Sequence, residues 1–95
     1  MRQTRKPEMK DEQLVVIHSE MSSLFSSNKH LLDSNTAKSI AEYINVGECG
    51  LALELFIFCV EREALPLSDS DRNFTYDLAS RMRLDLDQIR SEWPK

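Results

Sequence analysis

From Leu51 to Val60, ten consecutive residues include one polar side chain, Glu54. That run constrains the fold more than any other part of the chain. With its flanks it reads Gly47-Glu48-Cys49-Gly50-Leu51-Ala52-Leu53-Glu54-Leu55-Phe56-Ile57-Phe58-Cys59-Val60-Glu61-Arg62-Glu63, which is more than four helical turns. Ala, Leu and Glu favour helix, and a helix that is apolar on nearly every side must be surrounded by other elements. The stretch therefore predicts the central helix of a small bundle. It is too short and too charged to span a bilayer, which needs roughly 20 apolar residues. A buried strand over Leu55–Val60 is the competing reading of so short a run, but the Leu-Ala-Leu-Glu-Leu start favours helix.

The flanking segments carry helical patterns that could cover such a centre. Leu14, Ile17, Met21 and Leu24 form an apolar stripe, with acidic Glu8, Asp11 and Glu12 ahead of it, where a helix N-terminus prefers them. Ser26-Ser27-Asn28 should end this helix, and Leu31 and Leu32 should tuck a short connection onto the core. Ala37, Ile40, Ala41 and Ile44 give a second helical face, capped by Ser34 or Asn35 and stopped at Gly47. After the central helix, Leu65-Pro66-Leu67 is a break, since proline cannot continue a helix interior. Ser68 or Ser70 should cap a fourth helix, with Phe74, Leu78, Ala79 and Met82 inward and Tyr76 outward. Asp85 should start a short fifth helix closed by Leu86, Ile89 and Trp93. The expected fold is all-α: four to five helices around the apolar one, over residues 8–95, behind a flexible basic arm at 1–7. Ninety-five residues with two Gly and three Pro suit one such domain and offer few turns for an all-β chain.

The chemistry of common catalytic motifs is missing. The chain holds no Gly-rich phosphate loop, nucleophile elbow, Cys-x-x-Cys or His-x-x-x-His pair. Cys49 and Cys59 lie ten apart on one expected helix, roughly 15 Å along its axis, too far for a disulfide. They read as small apolar core residues, and His18 reads as a rim residue. No enzyme activity, metal or cofactor is expected. No apolar run follows the early charges, so no signal peptide is expected, and the simplest location is the cytoplasm.

Charge gives the functional lead. The net charge is −4, but residues 1–10 carry +3 and the rest −7. A folded part of that sign is a poor nucleic-acid ligand and suits a basic protein. From Glu42 to Glu63 there are five glutamates against one arginine. On the central helix Gly47, Gly50, Glu54 and Glu61 share one side. Glu54, between two leucines, reads first as a structural carboxylate that pairs with an arginine or caps a neighbouring helix; the alternative is that this side of the helix opens toward a basic partner. Glu42, Glu48, Glu61, Asp69, Asp71 and Asp77, with Tyr76 as an exposed anchor, are the candidate partner-binding residues.

Those same residues carry a family resemblance. Gly-Glu-x-Gly-Leu-Ala-Leu-Glu at 47–54, Glu-x-x-x-Leu-Pro-Leu-Ser at 61–68 and Leu84, Asp85, Ile89 and Trp93 at the end resemble the small bacterial immunity proteins of the MafI family. That family belongs with the immunity proteins of contact-dependent inhibition and related polymorphic toxin systems. The likeness covers about residues 35–93 and omits the basic arm. It implies a non-enzymatic protein that binds and blocks one cognate toxin domain in the producing cell, often a nuclease with a basic cleft; a monomer bound one to one is expected. The alternative is a small helical regulator or adaptor, with a DNA-binding helix–turn–helix drawn through Leu65–Met82. Its Arg72, Arg81 and Arg83 are offset by Asp69, Asp71 and Asp77, a weak set for reading DNA.

Overall fold

In a computed structural model the described residues are 11–92, with side chains from Leu14 to Ser91. The basic arm, Trp93 and Glu8, near which the acidic lead of the first stripe puts the helix start, lie outside them. The described chain forms five α-helices and no strand: α1 Asp11–Asn28, α2 Ser34–Asn45, α3 Cys49–Arg62, α4 Asp69–Arg81 and α5 Leu86–Glu92, with a 3₁₀ turn at Lys29–Leu31. The apolar run is α3, which touches all four other α-helices. It buries Ala52, Leu53, Phe56, Ile57 and Val60 almost completely. Around it pack Met21 and Leu24 of α1, Ile40 of α2 and Leu78 of α4. Both thiols are free and buried. Burial is the first cause that raises each thiol pKa, and it helps push Cys59 to about 11. That is the behaviour of inert core cysteines.

The helix ends show why the chain turns where it does. Asp33, not Ser34 or Asn35, caps α2: its Oδ1 accepts the Thr36 N–H at 2.9 Å and its Oδ2 the Thr36 hydroxyl at 3.1 Å. Periodicity alone could not choose within the run Asp-Ser-Asn-Thr, where several residues are competent caps. Ser68 caps α4 through the Asp71 N–H at 3.0 Å, as its position suggests. Asp85 accepts the Gln88 N–H at 3.1 Å at the start of α5.

Three helices end around a left-handed residue with a backbone bond that spans five residues, the signature of a Schellman turn. After α2, Glu48 N–H donates to the Tyr43 carbonyl at 2.8 Å and Gly47 N–H to the Ile44 carbonyl at 3.1 Å, around Gly47 at φ +82°. After α3, Leu65 N–H reaches the Val60 carbonyl at 3.1 Å around Ala64 at φ +50°. After α4, Leu84 N–H reaches the Ala79 carbonyl at 3.0 Å around Arg83 at φ +60°. Only the first uses glycine, the residue that adopts left-handed backbone without strain. Burial of Leu65 beyond Ala64 holds the second in place. Ala64→Gly and Arg83→Gly should each stabilise the domain by about 0.5–1 kcal/mol, relief of strain exceeding the added entropy of glycine. Urea unfolding of the two variants checks this; a fall in midpoint for both would contradict it.

Two side chains depart from the sequence reading. Leu14, counted on the buried stripe of α1, is 48% exposed, and the core side of α1 begins at Ile17. Thr75, unremarked in the sequence, is fully buried on α4, where its hydroxyl donates to the Asp71 carbonyl at 2.7 Å.

Candidate partner-binding surface

The seven candidate residues fall into two groups. Glu61, Asp71, Tyr76 and Asp77 are engaged within the domain. The Tyr76 hydroxyl donates to Glu61 Oε2 at 2.7 Å, and Arg90 of α5 donates to both Glu61 oxygens at 2.7 and 2.8 Å. The outward Tyr76 of the sequence reading is thus corrected: its ring is half-buried and packs on the core. The inward stripe on α4 is wider than Phe74, Leu78, Ala79 and Met82 suggest, and Glu61 offers an acceptor that satisfies a part-buried phenol. The bonds from Arg90 hold the Glu61 carboxyl below its ordinary pKa, helped by Tyr76 and opposed by burial. Burial, then the Glu61 carboxylate, pushes Tyr76 up to about 12.

Asp71 Oδ2 accepts from the buried Asn28 amide at 3.0 Å, which also donates to the Leu24 carbonyl, tying the end of α1 to the start of α4. Asp77 pairs with Arg81 at 3.0 Å, and Arg81 also reaches Glu20 at 2.8 Å. These contacts use Arg81, one of the arginines a helix–turn–helix reading would need.

Glu42, Glu48 and Asp69 remain exposed, with no hydrogen bond or ion pair from their side chains to another described residue. Glu63 is exposed in the same way. The bond from Glu48 N–H to the Tyr43 carbonyl brings Glu48 beside the Glu42–Tyr43 end of α2. Glu54 is half-buried, and the expected arginine or helix-end contact is not formed among the described residues. Asp33 and Glu63 both help to raise the Cys59 thiol pKa, after burial. From residue 33 to 63 the hairpin carries six carboxylates against Lys38 and Arg62.

Beside the Glu48 corner opens a cleft of about 400 Å³ that the sequence reading missed. Its walls are Leu14, Val15, Ile17 and His18 of α1, Gly47 in the α2–α3 turn, Cys49 and Gly50 at the start of α3, and Met82 past α4. His18 Nε2 lies 3.1 Å from the Ile44 carbonyl; that oxygen can only accept, so the ring nitrogen carries the proton. This bond ties α1 to the end of α2 and fixes one wall. The sequence signal was the run Leu14-Val15-Val16-Ile17. At 100° per residue four consecutive apolar side chains cannot share one face, so some had to remain outside the core.

Among the described residues no group of His, Cys, Asp or Glu is placed to hold a metal ion, and no helix is long and apolar enough to cross a membrane. No family model, curated protein or solved structure matches the chain.

Proposed function

We propose that this domain acts by binding one protein partner through its acidic α2–α3 side, as a non-enzymatic immunity protein that covers and neutralises a basic toxin domain, a nuclease being the fitting class. The supporting observation is the distribution of charge after internal pairing. Over residues 11–92 fifteen carboxylates face seven Lys and Arg, a net −8. The ion pairs of Arg81 and Arg90 are spent inside the fold, while Glu42, Glu48, Glu63 and Asp69 are left in solvent. A nuclease must present a basic cleft to hold phosphates, and opposite fields steer two such surfaces together. The resemblance at 47–54 and 61–68 supports the same class of partner.

The test is co-expression with the variable C-terminal domain of a large secreted protein encoded beside this chain. The chain should restore growth and bind one to one. Glu42→Lys with Glu48→Lys should weaken binding by about tenfold or more while circular dichroism stays unchanged. Association of the parent should slow between about 0.1 and 1 M salt, as the screening length falls from about 10 to 3 Å. Unchanged binding in the folded double variant, with no salt dependence, would remove the electrostatic reading. A neighbouring toxin domain that kills despite the chain would remove the immunity assignment.

A further inference from the structure

The described residues leave five large apolar side chains exposed: Leu14, Val15, Val16, Val46 and Leu51. Of these, Leu14 and Val15 stand in the wall of the cleft beside Gly50, together with Ile17, Cys49 and Met82. Scattered exposed apolar residues are ordinary; exposed ones in the wall of a largely apolar concavity mark an interaction site. Gly50 lines the cleft without a side chain, where α3 meets the α4–α5 link. A Cβ there would meet only Leu84 Cδ2 at 3.9 Å and Met82 Cε at 4.0 Å.

Charge on the rim selects the occupant. Glu48 stands between two lining residues, and its charge is felt at the Cys49 sulfur in the wall. Glu54 lies one turn beyond Gly50. Neither carboxylate has an ion pair among the described residues. Of the arginines beside Met82, Arg81 is held by Glu20 and Asp77, leaving Arg83 on the rim. A second copy of this chain fits poorly, because it would bring together two domains that each carry a net −8 over residues 11–92.

We propose that the cleft is a socket for an amphipathic helix of the partner, with a row of apolar side chains seated between α1 and α3 and flanking Lys or Arg on the carboxylate rim. The proposal rests on the protein-binding reading above and names the contact chemistry. Helix-in-groove binding of this kind is anchored by side chains one helical turn apart, and its energy concentrates in a few buried anchors.

The experiment uses the full chain and two synthetic helical peptides, one of Leu and Lys, the other of Leu and Glu, followed by fluorescence anisotropy. The Leu–Lys peptide should bind the parent, and the Leu–Glu peptide should not. Gly50→Leu, which fills the cleft without changing charge, and Val15→Ser, at a position 68% exposed, should each weaken Leu–Lys binding by about tenfold. Circular dichroism verifies folding; if Gly50→Leu is unfolded, Val15→Ser carries the comparison. Equal binding by the parent and the folded cleft variants overturns the socket, as does equal affinity for both peptides. Dimerisation of the parent that Val15→Ser abolishes assigns the corner to a second copy and likewise overturns it. Weaker toxin binding in Glu42→Lys with Glu48→Lys, beside unaffected cleft variants, leaves the protein-binding reading standing without the socket.

Discussion

Phe56→Ala should lower the unfolding free energy by about 3–5 kcal/mol, the range for emptying a large aromatic site in a core. Phe56 is fully buried at the middle of α3, the helix that touches every other α-helix of the described chain. Its removal leaves a void at the junction of several elements, none of which can close it alone. A domain of this size shifts its melting temperature by about 4–8 °C per kcal/mol, so the loss is a drop of at least about 12 °C. Set against a typical stability of about 5–15 kcal/mol, it leaves a substantial unfolded fraction at 37 °C. Phe56→Leu keeps most of the volume and should cost about 1–1.5 kcal/mol. A thermal melt of Phe56→Ala within about 2 °C of the parent would contradict the central placement of α3.

Glu61→Ala should cost about 1.5–3 kcal/mol, the scale of hydrogen bonds made to a charged group. One carboxylate holds three elements: α3, which carries it, α4 through Tyr76, and α5 through Arg90. Its removal leaves a half-buried phenol without its acceptor and a guanidinium without its partner. Arg90 is half exposed, so water compensates much of its loss, and the Tyr76 bond supplies the larger share. Tyr76→Phe should therefore cost less, and Glu61→Ala should cost less in the Tyr76→Phe background than alone. Equal losses in both backgrounds would show that the two side chains are not coupled.

The same cluster sets a pH dependence of defined sign. The folded pKa of Glu61 is depressed, so its contribution is present above the ordinary glutamate range and is lost as pH falls through the folded value. The folded pKa of Tyr76 is raised to about 12 from 10.0; its contribution is complete below the ordinary tyrosine range and is lost as pH rises toward about 12. In Glu61→Ala the acid-side dependence should vanish and the alkaline one should shrink, burial of Tyr76 retaining part of it, as read from urea midpoints across pH.

The particular residues show which parts of this molecule are written locally. The α3 run, the Ile40–Ile44 face of α2, the break at Pro66 and the caps at Ser68 and Asp85 all follow from periodicity or backbone chemistry within a few residues. So does the stop at Gly47, because glycine announces left-handed backbone. The same stop at Ala64 and Arg83 is invisible in sequence, since tertiary burial beyond the turn overrides the preference of the residue there. Tyr76 was misplaced for a similar reason: its acceptor is fifteen residues away on another helix. The acidic surface was legible as a charge count. Which carboxylates are free was not, because that depends on where Arg81 and Arg90 fall in space. The cleft was signalled only by the excess apolar residues at 14–17, and its other wall comes from chain about thirty or more residues distant.

The most direct test of a binding surface at this corner is residue-by-residue amide chemical-shift mapping of the full chain, titrated with the Leu–Lys helical peptide. The predicted result is a contiguous set of perturbations at Leu14–His18, Val46–Leu51 and Met82–Leu84, with Glu61, Tyr76 and Arg90 unchanged. Perturbations centred on the Glu61–Arg90 end, or spread evenly over every acidic residue, would contradict it.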